Sequence, residues 1–189
     1  WVAISLLFVD ASNPYILISL LVGLGFMALG MVDDLAKIAY RDNNLGLSVR
    51  VKLLGQMLLA GGAVAWWMAI VGHDSVSIIQ FPQLLGGYAL DLGWLYPVFA
   101  VLVIVGASNS VNLTDGLDGL VSLPIILVCL GLCVAVAQYD SLMPSAVLQD
   151  GLLMQALPDI SMVLVVLAAV FLGFLVFNCY PAEVFLGDS

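Results

Sequence analysis

Positive charge is what this chain has least of. Four of its 189 residues are Lys or Arg, one is His, and charged residues of either sign make up 9% of the total. With a formal net charge of -9 there is no basic surface to neutralise a phosphate backbone, which excludes nucleic acid as a partner. The three cysteines, Cys129, Cys133 and Cys179, form neither a disulfide framework nor a zinc-ligand spacing. Cys129 and Cys133 lie one helical turn apart in an apolar run and read as small packing residues. Soluble domains and long linkers are also missing.

What remains is apolar. Hydrophobic residues account for 63% of the chain, and the mean hydropathy of +1.19 is that of an integral membrane protein. Runs long enough to cross a bilayer as helix predict spans over 14–32, 53–72, 94–111, 120–138 and 159–178, with 1–9 as the stub of another. The fold class expected is therefore all-α, a polytopic membrane helix bundle of about five complete spans plus a partial one. Small residues (Gly23, Gly25, Gly30 and the pair Gly61-Gly62) suit close helix approach, and Trp66, Trp67 and Trp94 suit interfacial or lipid-facing positions.

The few charges decide the orientation. Lys37, Arg41, Arg50 and Lys52 all fall in one connection, which the positive-inside rule makes cytoplasmic. By alternation, residues 33–52, 109–119 and 178–189 share that face, while 10–13, 73–93 and 139–158 lie outside without a Lys or Arg. The outer connections hold His73, Asp74, Asp91, Asp140 and Asp150 without comparable clustering, and carry no chemistry in this reading.

Three motifs occupy the inner face. In Gly30-Met-Val-Asp-Asp-Leu-Ala-Lys37 an apolar span ends in adjacent carboxylates, and a continuing helix would put Asp33, Lys37 and Arg41 on one face. Taken alone, the two acids are a helix end pairing with its lysine; near phosphate they are ligands for Mg²⁺, a hard cation, or a base. The second motif, Asn109-Ser-Val-Asn-Leu-Thr-Asp-Gly-Leu-Asp-Gly-Leu120, repeats a polar side chain every third position. Gly116 and Gly119 argue that its later part leaves regular helix. Capping accounts for one or two such residues, hardly four. In the third, Phe177-Asn-Cys-Tyr-Pro-Ala-Glu-Val-Phe-Leu-Gly-Asp188, Pro181 stops the preceding span, Asp188 offers another carboxylate and Phe185 a platform for a flat ring. The plain alternatives are an interfacial Tyr180 and a core Phe185.

Together and in this order, the three motifs resemble the phospho-N-acetylmuramoyl-pentapeptide transferases of the polyprenyl-phosphate sugar-1-phosphate transferase superfamily. The second motif carries the superfamily and the Tyr180-Pro-Ala182 segment the muramoyl branch. The resemblance implies transfer of phospho-MurNAc-pentapeptide from UDP-MurNAc-pentapeptide to undecaprenyl phosphate, giving lipid I and UMP for peptidoglycan synthesis. It further implies Mg²⁺, a homodimer, and a site on the cytoplasmic face of the bacterial inner membrane. Residue by residue, Asp33, Asp34 and Asp188 match catalytic aspartates, and Asn112 and Asp188 match residues associated with the metal. Substrate contacts are implied for Lys37, Lys52, Asn109, Asp115, Gly116, Leu117, Asp118, Asn178 and Phe185, the last stacking on uracil. A snorkelling anchor is the plainer account of Lys52.

Residues 1–189 are read as one transmembrane catalytic domain, an internal fragment truncated at both ends, because the family's basic Pro-Thr-Met-Gly-Gly motif and histidine-rich loop lie outside it. Expressed alone it is expected to be inactive. One sister activity and two other classes compete with this reading. A GlcNAc-1-phosphate transferase shares the machinery but not the sugar pocket. A transporter would spread its acids through the bilayer depth. An intramembrane aspartyl protease would need glycine where Phe185 stands.

Overall fold

The structure, a computed structural model, describes residues 1–40, 46–72, 77–81, 87–114, 116–139 and 151–184. Six α-helices run through these residues: α1 (Val2–Ser5), α2 (Pro14–Tyr40), α3 (Val49–Val71), α4 (Tyr96–Thr114), α5 (Ser122–Ala137) and α6 (Gly151–Asn178). Four, α2, α3, α4 with the 3₁₀ turn Gly93–Leu95 before it, and α6, are long and apolar enough to cross a membrane. The fifth expected span, α5, is apolar but only 16 residues long. The stub over 1–9 forms a single helical turn, α1, followed by turns.

Local chemistry explains where the helices start and stop. Pro14 suits the first position of α2, and the Asn13 side chain accepts the Tyr15 N–H at 3.0 Å, capping the free end. Just ahead of it, the Ser12 hydroxyl and backbone N–H donate to Asp10 and hold its carboxyl below the usual carboxylate range. The helix continues eight residues past the expected end at 32, because Leu35, Ala36 and Lys37 are good helix formers and Lys37 reaches back one turn to Asp33. Leaving the bilayer does not by itself end a helix. Ser48 caps α3, accepting from Val51 N–H at 3.4 Å, so this helix starts at Val49 rather than 53.

At the other end of the chain, α6 begins at Gly151 rather than 159 and contains Pro158. Its early turns are anchored from the start of α2. Asn13 Nδ2 donates to the Leu152 carbonyl at 3.2 Å, and Asp10 N–H donates to Asp159 Oδ2 at 3.1 Å. Those ties offset the hydrogen bond that proline removes. The connection over 73–93, to which the sequence assigned no chemistry, contains a two-stranded antiparallel sheet among its described residues. Here β1 (Ile78–Gln80) pairs with β2 (Ala89–Asp91), Ile79 opposite Leu90. Two β-branched residues, Ile78 and Ile79, were the available signal.

Packing orders the long helices α5, α6, α2, α3, α4, each against the next. Ile126 and Cys129 of α5 meet Ala168 of α6, while Tyr15, Ile16 and Leu20 of α2 meet Ala156 and Val163 of α6. Between α2 and α3 the contact is reciprocal. A Cβ on Gly25 would lie 2.9 Å from Leu59, and one on Gly55 would lie 2.9 Å from Leu29, so each glycine seats the other helix's leucine. Gly61 and Gly62, expected to allow close approach, have open space instead, so among the described residues neither seats another helix. Trp67 also departs from expectation, packing edge-on against Tyr15 at 4.6 Å, whereas Trp94 is largely exposed.

Residues 115–121 join α4 to α5, the two ends of that row. Five helices side by side at 8–10 Å spacing would separate the outer pair by roughly 32–40 Å, and so short a connection reaches only about 28 Å. The row is therefore bent into an arc. One end of the bundle gathers the start of α2, the end of α3 and the start of α6; the other gathers the end of α2, the start of α3, the end of α4, the start of α5 and the end of α6.

In vesicles, with Cys129, Cys133 and Cys179 replaced, Leu117→Cys and Glu183→Cys are expected to react with an impermeant maleimide from one face and Ser12→Cys only from the other. Labelling of all three from the same face would refute this arrangement.

Candidate functional site

The site is built at the basic end of the bundle around one buried carboxylate. Asp33, in the last turns of α2, is 3% exposed, a position a charged group occupies only with partners. It has three. Lys37 Nζ lies 3.1 Å from Oδ2, one helical turn along the same face, and Lys52 Nζ reaches the same oxygen at 3.4 Å from the first turn of α3. Leu47 N–H donates to Oδ1 at 2.6 Å from the segment that leads into α3. Asp33 thus ties together two helices and the chain between them. Asp34 differs: its side chain is 38% exposed, and Lys37 is 3.5 Å away.

These groups wall a cavity of about 430 Å³, lined by Asp33, Lys37, Leu47, Lys52, Asn109 and Asn112 among others. Among the described residues two ammonium groups face one carboxylate there, so that part of the lining is net positive and suits an anion. Asn109 and Asn112, one turn apart on α4, complete the wall with amides. Asn109 is held from behind. Its Nδ2 donates to Gln56 Oε1 on α3 at 2.8 Å and to the Val105 carbonyl at 2.8 Å.

A second polar cluster lies where α5 begins and α6 ends. Asn178, 2% exposed, accepts Gly119 N–H at 2.9 Å through Oδ1 and donates from Nδ2 to the Val184 carbonyl at 2.9 Å. Asp118 accepts Ala182 N–H at 3.1 Å. Gly119 has φ of 75°, a left-handed conformation that a side chain would strain even though a Cβ would meet Leu175 and the Asn178 carbonyl only at ordinary contact distance. The tight turn after α4 is thereby clipped onto the segment that follows α6.

Of the residues named from sequence, Asp33, Lys37, Lys52, Asn109 and Asn112 are brought around one cavity, and Asp118 and Asn178 meet in the second cluster. Gly116 and Leu117 lie exposed in the connecting turn, Leu117 at 70%. Asp115, Phe185, Asp188 and Arg41 lie outside the described residues. Among the described residues no three His, Cys, Asp or Glu side chains form a metal-binding group. Lys52 does not extend into water as an anchor; it turns onto Asp33. Sequence reasoning missed Gln56 and Leu47. A lone Gln inside an apolar span is a usable signal, whereas a backbone donor leaves none.

A family model described as glycosyl transferase family 4 matches residues 16–189. The chain is 38% identical over 189 residues to a phospho-N-acetylmuramoyl-pentapeptide-transferase of Maridesulfovibrio salexigens, covering 97% of this chain and 50% of that protein. It is 38% identical to the protein of that name in Campylobacter lari, covering 98% of this chain and 51% of that protein. With the one in Nitratidesulfovibrio vulgaris it shares 42% over 188 residues, covering 97% and 50%. The chain spans about half the length of the curated relatives it matches.

Asn178→Ala would take the partner from Gly119 N–H and from the Val184 carbonyl, both part-buried bonds, and leave a void where the buried Asn178 side chain sits. It is expected to destabilise the protein by about 2 kcal/mol in detergent. Denaturation at wild-type stability would show that the clip contributes nothing.

Proposed function

The chain belongs to glycosyl transferase family 4, and from that membership we propose that the protein it half spans transfers phospho-MurNAc-pentapeptide from its UDP carrier to undecaprenyl phosphate. The products are lipid I and UMP, and magnesium is the metal. Residues 1–189 form one transmembrane catalytic domain, set in the bacterial cytoplasmic membrane with its site on the cytoplasmic face. A homodimer is part of the same proposal. The supporting observation is the cavity between α2, α3 and α4: anion-suited, walled by two lysines, and set at the end of the bundle that carries the basic connection. A lipid phosphate and a soluble diphosphate can meet only at that level. The names of the relatives and the confinement of Lys and Arg to one connection support the substrate and the side.

In this reading Lys37 and Lys52 take the negative charge of the diphosphate, each held in place by Asp33. With both oxygens engaged, Asp33 is a poor base and a poor nucleophile, and its work is to aim the two ammonium groups. Asp34, more exposed and with a single long contact, is the carboxylate free to meet a substrate proton. An oxygen of undecaprenyl phosphate, already ionised at pH 7, forms the new bond to the sugar-linked phosphorus. The bond from that phosphorus to the bridging oxygen breaks, and UMP leaves with the electron pair. Asp118 and Asn178 brace the turn beside the nucleotide.

The donors present fit magnesium in kind. The cavity wall offers hard donors without sulfur or imidazole, and with the Asp33 carboxylate taken by Lys37 and Lys52 the Asn112 amide is left as an oxygen ligand. Asn112 and Asp188 would hold the ion. Once bound, it would neutralise diphosphate charge.

The complete protein, given undecaprenyl phosphate, is expected to turn UDP-MurNAc-pentapeptide into lipid I and UMP, to ignore UDP-GlcNAc, and to stop with EDTA until Mg²⁺ is restored. Turnover of UDP-GlcNAc instead would move it to the sister activity. A donor made chiral at the sugar-linked phosphorus should give inversion. Retention, or a trapped phospho-aspartate, would establish a two-step path.

A further inference from the structure

Gln56 is a buried amide inside a membrane span, 4% exposed and two turns into α3, and none of the chemistry above uses it. A polar group so placed is costly unless it is paired. Its partner is Asn109, and the direction of that bond can be fixed. The Val105 main-chain carbonyl, 2.8 Å from the Asn109 amide, can only accept. Asn109 must therefore turn its Nδ2 toward it, and the opposite amide rotamer would set two oxygens face to face. The second Nδ2 hydrogen then points at Gln56, 2.8 Å away, which must present Oε1. Both donors of Asn109 are consumed behind the wall. Only the carbonyl oxygen Oδ1 is left for the cavity that Asn109 lines, and it has no partner among the described residues.

We infer that Gln56 is a positioning residue that fixes Asn109 as an acceptor, so that Asn109 recognises a hydrogen-bond donor of the substrate, a hydroxyl or an amide N–H, and not a phosphate oxygen. This rests on the transferase reading, and it divides the cavity wall by chemistry. Lys37 and Lys52 serve the anionic part of the substrate, and Asn109, across from them on α4, serves a neutral donor. Removing the Gln56 acceptor frees one Nδ2 hydrogen and weakens the constraint on the amide, so the loss appears in substrate binding.

The test is a double-mutant cycle in the complete protein, read by calorimetric binding of UDP-MurNAc-pentapeptide. Gln56→Leu is expected to weaken binding about fivefold with a melting temperature close to wild type. Gln56→Glu, which keeps an accepting oxygen whether or not it is ionised, should stay within about twofold. In an Asn109→Ala background, Gln56→Leu should add nothing. Additive losses, or equal damage from Leu and Glu, would overturn the inference, because a merely structural glutamine gives both. Turnover of the wild type is measured in parallel. Its absence would sink the transferase reading, while the binding cycle still judges Gln56.

Discussion

A buried negative charge at the membrane boundary has to be matched, and Asp33 is matched from three directions at once. Lys37 comes from its own helix, Lys52 from the next and Leu47 N–H from the chain between them. Removing any one partner leaves charge or a donor without compensation in a poorly solvated place, which is far costlier than losing a surface pair. That requirement fixes the end of α2 against the start of α3. The anion-suited cavity exists because the two lysines that answer Asp33 also face outward into it.

Two kinds of polar contact organise the rest of this face. Charged groups set the wall formed by α2 and α3, whereas neutral amides do the joining elsewhere: Gln56 with Asn109, and Asn178 with Gly119 and Val184. Amides donate and accept, so each can bridge two elements without the desolvation penalty of an ion. In a bundle whose helices are otherwise held by apolar packing and close glycine contacts, these pairs specify which helix ends meet.

Most of this was legible in the sequence where a physical pattern is local. Span existence followed from run length, the paired Asp33 and Lys37 from their spacing of four, and the break in helix after Thr114 from Gly116 and Gly119. Helix ends were less legible, because capping by Ser48 and anchoring of α6 by Asn13 are set by neighbours distant in sequence. The small hairpin was hidden by strands of three residues. Gly55 was passed over while Gly61 and Gly62 were chosen, since composition does not tell which side of a helix meets a partner. Leu47 was invisible for a different reason: its contribution comes from the peptide group that every residue but proline carries.

The brevity of α5 has a consequence for the lipid around it. Sixteen helical residues rise about 24 Å, against a hydrocarbon core of roughly 30 Å. A hydrophobic mismatch of that size, were α5 alone to cross the bilayer, would be relieved in part by thinning the neighbouring leaflet. The turn over 116–121, at the start of α5, lies on the side of the bundle where the polar clusters are, so thinning there would bring head groups toward them.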